Sequence, residues 1–425
     1  MASRREERAV ALVIALLFLA IRAAIAYARD PFFDELFTVW MARRPFSAIL
    51  PTLLTDSGPP LYYFLARIPS VMGERVLSIT FAAVPLFLLL RQKRWIAAML
   101  LTIHPAAAIL GATGRPYALC GALIAIGVLL MERDRVGGAA VAFVAAAYTH
   151  FAAAFFLPTL LLAHVSWRRR IVVSALAAIA FAPGLWLSLQ QPRAATAWME
   201  LPDLGGVMNA LAFIGDDPVL PLWVMIAAFV LTAITGSRSR RLMPIVLIPL
   251  LLCLGVSLVR PAYFPIRFAS LLAFPLVLWI ADPLEQWGRR TRIVLLSALI
   301  AVGFGSILAG VITHMQRPLS DYRMAAIALP HAAGPNDVIV ATGYLYLESV
   351  YQLGDARVRA FPPEQGVHPG WRVPARREVS TASLPAGPFV WIGERGSPEL
   401  VAIRRERRGR LLYENANALI VAFHP

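Results

Sequence analysis

Arg29-Asp30-Pro31-Phe32-Phe33-Asp34-Glu35-Leu36-Phe37 follows directly on an apolar run from Ala9 to about Ala28. That run has the ~20 residues an α-helix needs to cross a bilayer, so the adjacent acids Asp34 and Glu35 are expected at or just beyond a membrane surface. Arg4-Arg5-Glu6-Glu7-Arg8 precedes the run, which is long for a signal peptide, and no small-residue cleavage site before Asp30 is convincing. The run therefore reads as a transmembrane anchor rather than a signal peptide.

The rest of the chain has the same character. Of its 425 residues 59% are hydrophobic and only 15% charged, and the mean hydropathy is +0.66, outside the range of soluble domains. The net charge of +15 would raise the question of nucleic acid in a soluble protein. Here the basic residues lie in short connections between apolar runs and read as topology signals, with no nucleic acid implied. The two cysteines, Cys120 and Cys253, sit inside apolar runs, which argues against a disulfide framework and a cysteine metal site.

Basic clusters occur at the N-terminus, Arg91 to Arg94, Arg133 to Arg135, Arg168 to Arg170, Arg238 to Arg241 and Arg289 to Arg292. Placing each in the cytoplasm gives spans at 9–28, 75–90, 95–112, 116–131, 136–149, 151–166, 171–189, 218–235, 242–259, 265–281 and 293–312. The expected fold is an α-helical polytopic membrane protein of about 11 transmembrane helices, N-terminus inside, with a small C-terminal α/β extracytoplasmic domain. Residues 1–316 form the membrane domain, including a long outer loop 29–74 with amphipathic stretches suited to an interface. Residues 317–425 form the soluble domain. Its strand-like segments are Asp337 to Ala341, Pro388 to Ile392, Arg410 to Tyr413 and Ala418 to Phe423.

On the outer side this topology also collects Ser57-Gly58-Pro59-Pro60-Leu61-Tyr62-Tyr63, Gly114-Arg115-Pro116-Tyr117, Tyr148-Thr149-His150-Phe151 and Phe264-Pro265-Ile266-Arg267-Phe268. An Asp-Glu pair opening the first outer loop and a Pro-Pro-Leu-Tyr-Tyr segment closing it are the specific elements. An Arg-Pro-Tyr, an outer-face His and an Arg-aromatic before a late helix follow in order. The set resembles the GT-C superfamily of polytopic glycosyltransferases, in particular the bacterial family 39 relatives of protein O-mannosyltransferases and aminoarabinose transferases.

The resemblance implies an inverting glycosyltransferase of the bacterial cytoplasmic membrane that uses a polyprenyl-phosphate sugar, of hexosyl, pentosyl or mannosyl type. The acceptor, on the outer face, would be a glycan, lipid or protein, with membrane lipids as surroundings. Asp34 takes the role of catalytic base, because displacing a lipid phosphate from an anomeric carbon needs a carboxylate on the incoming hydroxyl. Glu35 is carried with it, as acceptor holder or cation ligand. Arg115 and Arg267 are the candidate phosphate binders, since a planar guanidinium stays charged near lipid and matches phosphate oxygens. Both also suit the role of snorkelling anchors. Tyr62, Tyr63, Tyr117 and His150 are assigned to the donor or acceptor pocket, although aromatics are enriched at every membrane interface. Relatives have Arg-Tyr where this chain has Arg267-Phe268, so one tyrosine hydroxyl is missing.

No cofactor is assigned, a divalent cation is left open, and no Asp/Glu/His spacing demands a metal. Asp56 with Gly58 stands where relatives carry a more acidic or His-containing stretch. Asp203, Asp216 and Asp217 lie in the loop 190–217 and read first as helix-capping acids. The first-loop helices together with the late helices are expected to frame a lipid groove. Two other readings remain at this stage: a transporter or flippase for a lipid-linked substrate, and a lipid-linked oligosaccharide polymerase or ligase. A transporter would place its ionisable groups nearer the bilayer midplane.

Overall fold

A computed structural model describes residues 4–54, 56–191, 237–259, 265–316, 319–342, 345–354, 356–361 and 384–424. The loop carrying Trp198, Asp203, Asp216 and Asp217, the expected span 218–235 and the segment Arg260 to Tyr263 lie outside the described residues. The chain divides into two compact units: Met1–Arg29 with Gly58–Gln190 and Thr196–Gln316, and Asp30–Ser57 with Gln191–Ala195 and Arg317–Pro425. Residues 30–57, read from sequence as part of the membrane domain, thus group with the C-terminal module.

The first unit is a bundle of apolar helices. Among the described residues five are long and apolar enough to cross a membrane: Arg4–Ala28 (α1), Val71–Arg91 (α5), Trp167–Gln190 (α10), and stretches of the helices Pro265–Gln286 and Arg289–Gln316. Shorter apolar helices include Tyr117–Met131 (α8), Val136–Thr149 (α9) and Arg241–Ser257, the apolar part of a helix that begins at Ser237. The expected span 151–166 is a 3-10 helix, Phe151–Leu162. Small residues set the spacing between α8 and α9: a Cβ at Gly127 would stand 2.3 Å from a ring carbon of Phe143, so only glycine lets the aromatic lie against the neighbouring backbone. The helix Pro265–Gln286 is buried on most faces, with Leu271, Phe274 and Trp279 in the core, whereas Arg289–Gln316 exposes Ile293, Val294 and Phe304.

The expected span 95–112 is broken into Trp95–Ile103 (α6) and Pro105–Gly111 (α7). Pro105 has no N–H, so the carbonyl of Leu101, four residues earlier, loses its helical donor. Arg22 of α1, 1% exposed, fills the gap. Its guanidinium donates to the carbonyls of Thr102 at 3.2 Å and Leu101 at 3.5 Å and stacks 3.4 Å over the Phe18 ring. A cation within a membrane helix is costly, and here the carbonyl end of α6, the negative end of its dipole, offsets that cost. Arg22→Met should therefore destabilise the wild-type background by about 1 kcal/mol more than a Pro105→Ala background, where Leu101 regains an N–H. Thermal unfolding of the four purified variants in one detergent checks this, and equal losses in both backgrounds would refute it.

Contacts place the connections by side. Lys93 pairs with Glu7 at 2.8 Å and Arg94 with Glu132 at 2.8 Å, joining the N-terminus, the α5–α6 turn and the α8–α9 turn at one end of the bundle. At the other end Arg75 donates to the carbonyls of Ala26 and Arg29 at 2.5 and 2.7 Å, capping the last turn of α1.

The second unit holds a five-stranded sheet in the order β2-β1-β3-β5-β4, formed by Val338–Thr342 (β1), Val358–Phe361 (β2), Phe389–Glu394 (β3), Gly409–Glu414 (β4) and Ala418–Phe423 (β5). β1 runs parallel to β2 and β3, while β5 pairs antiparallel with β3 and β4. Four strands stand where hydrophobic alternation and β-branched runs placed them. β2, only four residues long and carrying Arg359, has too weak a pattern to be read. Trp391 centres the core of one face, its ring 5.1 Å from that of Phe361, with Phe389 stacked on Phe423 at 5.3 Å. The first-loop helices Phe33–Ala42 (α2) and Phe46–Leu54 (α3) belong to the same unit.

Candidate active site

Asp34 and Glu35 occupy the first turn of α2, where negative charge is favoured by the helix dipole. The structure separates their situations. Glu35 is fully buried and its Oε2 accepts the Phe32 N–H at 3.3 Å, so its carboxylate closes the N-terminus of its own helix. Asp34 is partly exposed, and its carbonyl accepts from the Thr38 hydroxyl at 3.1 Å. Of the two, Asp34 has the more accessible carboxylate. Asp56, also in this unit, is buried.

In the first unit the remaining candidates converge. Gly58, at φ +112°, takes a conformation that side chains avoid and turns the chain into Pro59-Pro60 and the short helix Leu61–Leu65 (α4). One side of α4 carries Tyr62 and Tyr63, both buried. Tyr63 Oη accepts from Arg115 Nη1 at 3.1 Å, and the Arg115 carbonyl accepts from the Ser78 hydroxyl at 3.4 Å. Arg115-Pro116 leads into α8, whose first residue, Tyr117, has its ring 5.4 Å from that of His150. Arg267, in the first turn of the helix Pro265–Gln286, lies 5.9 Å from the same Tyr117 ring. Phe268 turns inward to an edge contact with Phe155 at 6.5 Å, so the position where relatives carry tyrosine is core here.

His150 joins α9 to the 3-10 helix. Its Nδ1 accepts the Ala152 N–H at 3.3 Å; the proton of the neutral ring is therefore on Nε2. Burial, and then the charges of Arg267 and Arg115, hold its pKa down to about 3, so the ring stays neutral at ordinary pH and presents an N–H donor. Arg115, His150 and Arg267 are each partly exposed, whereas Tyr63 and Tyr117 are buried behind them. Both arginines sit at the start of a helix, where the macrodipole disfavours a cation by about 0.3–1 kcal/mol. Such an arrangement is suited to an anion, which both the charges and the helix ends attract. Among the described residues no three His, Cys, Asp or Glu side chains group as a metal site.

Glu74 was not legible as part of this cluster. It lies fully buried in the first turn of α5, with Oε2 accepting from Tyr62 Oη at 3.3 Å and Oε1 from the Ile68 N–H at 3.3 Å. Tyr62 Oη also lies 3.5 Å from Ser78 Oγ, so the carboxylate holds α4 and, through it, Tyr63 beside Arg115. A lone acid at the head of an apolar run gives no signal beyond a helix-start charge. Glu74→Ala should lower stability by about 1 kcal/mol by removing the acceptor of the buried Tyr62 hydroxyl and of the Ile68 N–H, and Glu74→Gln, whose amide oxygen still accepts, by less. Thermal midpoints of the purified variants test the order, and an Ala variant as stable as wild type would contradict it.

The other side of α4 is apolar. Pro60, Leu61 and Phe64 close one end of a groove of about 620 Å³ walled by α9 and α10, with Ala140, Val144 and Leu176 among its lining. This groove joins α4, a helix of the first loop, to α9 and α10.

No family model matches the chain, and no curated protein sequence matches it. Solved structures do. ArnT from Cupriavidus metallidurans in the apo state aligns with a TM-score of 0.64 at 12% identity, covering 96% of this chain and 97% of that one. The same protein bound to undecaprenyl phosphate aligns with a TM-score of 0.68 at 11% identity, covering 97% of each. At this identity the likeness establishes the fold. The expected architecture, a polytopic helical bundle with a small C-terminal sheet domain, is the fold this chain shares with ArnT.

Proposed function

We propose that this membrane protein, which shares its fold with ArnT, is an inverting glycosyltransferase that moves a sugar from a polyprenyl-phosphate donor to a hydroxyl acceptor at the outer face of the cytoplasmic membrane. A shared fold alone does not assign an activity. The observation that carries the reading is the cluster of Arg115, Arg267 and neutral His150 around Tyr117 and Tyr63. The bound undecaprenyl phosphate of the ArnT structure supports it.

The chemistry follows from the charges. The acceptor oxygen attacks the anomeric carbon, the bond from that carbon to the phosphate oxygen breaks, and Asp34 takes the hydroxyl proton. The departing lipid phosphate changes from a diester with one negative charge to a monoester that gains a second. Fixed guanidinium groups therefore bind the leaving group more strongly as the reaction proceeds, which is the condition for lowering the barrier. His150 contributes its Nε2–H to the anion or a sugar oxygen and takes no part in proton transfer. Glu35, engaged in capping α2, orients Asp34. The groove beside α4 receives part of the isoprenoid chain.

Transfer of labelled sugar from a panel of polyprenyl-phosphate sugars, catalysed by purified protein in lipid, tests the proposal. Turnover with one donor is the expected result. The absence of both turnover and donor binding across the panel would sink it in favour of a transporter.

A further inference from the structure

We infer that the C-terminal module is the scaffold that sets the position of Asp34, with Arg323 and Glu348 as positioning residues. The inference rests on the transferase reading for its catalytic consequence and on the second unit alone for its geometry.

α2 has little reason to hold its own place. Ten residues are too few for a stable isolated helix, and its sequence Phe33-Asp34-Glu35-Leu36-Phe37-Thr38-Val39-Trp40-Met41-Ala42 contains several weak helix formers. Its position is therefore decided by what it packs against. Within the second unit that is the helix Leu345–Leu353, which begins just past the end of β1 and lies on β1, β2 and the helix Asp321–Ala332. Leu345, Leu347 and Val350 of this helix are buried.

The ionic contact at this junction is specific. Glu348, largely buried, pairs with Arg323 of the helix Asp321–Ala332, and Arg323 also lies 5.3 Å over the Tyr351 ring. Burial raises the Glu348 pKa, Arg323 opposes that rise, and the charge of Asp30 adds to it. Arg323 thus ties the helix Leu345–Leu353, on which α2 packs, to the helix Asp321–Ala332. Removing the guanidinium leaves Glu348 buried without its partner and loosens the helix on which α2 packs. α3 is tied to the same unit, since the Leu53 carbonyl accepts the Gln191 side-chain amide at 2.9 Å.

The decisive experiment combines kinetics with hydrogen exchange on the full chain in lipid nanodiscs, comparing wild type, Arg323→Met, Arg323→Lys and the double variant Arg323→Met with Glu348→Gln. Arg323→Met is expected to lower kcat by roughly tenfold or more, the scale of a small misplacement of a reacting group. Its donor KM should stay within about twofold, because the anion cluster belongs to the other unit. Exchange across 33–42 should rise. Arg323→Lys, which keeps a cation beside Glu348, and the double variant, which removes the buried carboxylate left without a partner, should each recover most of the lost kcat. A raised acceptor KM with unchanged kcat and exchange would overturn the inference in favour of acceptor binding, and no change in any readout would reduce the module to a passive cover. Should Arg323→Met lose its thermal transition, the double variant and Arg323→Lys still decide the matter through exchange at 33–42. Raised exchange in a protein that transfers no sugar from any donor would overturn the transferase reading and leave the scaffold role standing.

Discussion

Asp34→Asn is expected to reduce sugar transfer by roughly 10²–10⁴-fold, the usual worth of a positioned general base, while membrane insertion and donor binding stay intact. The amide is nearly isosteric with the carboxylate, so α2 loses only the basic oxygen. The adjacent Glu35 does not substitute for it. Its Oε2 is committed to the Phe32 N–H and the side chain is fully buried, so Glu35→Gln should act mainly on the start of α2 and cost much less activity. Transfer at the wild-type rate by Asp34→Asn, measured with the preferred donor at saturation, would remove Asp34 as base. A larger loss from Glu35→Gln than from Asp34→Asn would interchange their roles.

Replacing Arg115 or Arg267 is expected to be nearly as damaging, and in a distinguishable way. A guanidinium that meets charge developing on a departing phosphate is worth roughly 10²–10³-fold in kcat, by analogy with the loss of one oxyanion donor. Arg115→Met and Arg267→Met should each fall in that range, with weaker donor binding added because the ground-state diester is already anionic. Arg115→Lys should recover only part, since lysine replaces a planar fork held by Tyr63 with a single strongly hydrated charge. The combined variant should show less than the product of the single losses, because both act on one leaving group. Losses that multiply independently, or binding of polyprenyl phosphate unchanged in both variants, would argue that these arginines are interface anchors.

Much of this molecule could be read directly. Hydropathy and the spacing of arginine clusters located the membrane helices, because a bilayer demands long apolar segments and the demand is met locally along the chain. The strands of the C-terminal sheet were visible for a similar reason, in short runs such as Val338-Ile339-Val340 and Leu419-Ile420-Val421. Where local pattern ended, so did legibility. The break at His104-Pro105 could be suspected from proline, yet nothing in the sequence of α1 announces that Arg22 fills it. Glu74 looked like a helix-start charge, and only the approach of α4 makes it the acceptor for Tyr62. Tyr62 and Tyr63 are adjacent in one motif and were assigned together, but the turn of α4 sends one hydroxyl to Glu74 and the other to Arg115.

The same division holds for the candidate site. Residue type, order along the chain and the family resemblance they carry were enough to nominate Asp34, Glu35, Arg115, His150 and Arg267 as candidates. Which residues share surroundings could not be known in advance. His150 is neutral because burial, and after it two arginines from distant parts of the chain, disfavour its charge, Glu35 is set apart from Asp34 by one backbone hydrogen bond, and α2 belongs with a sheet some three hundred residues away. Segment identity, span length and residue chemistry are local properties that the amino-acid sequence determines alone. Partners, burial and protonation arise from contacts between segments far apart in the chain, and only the packed tertiary structure decides those.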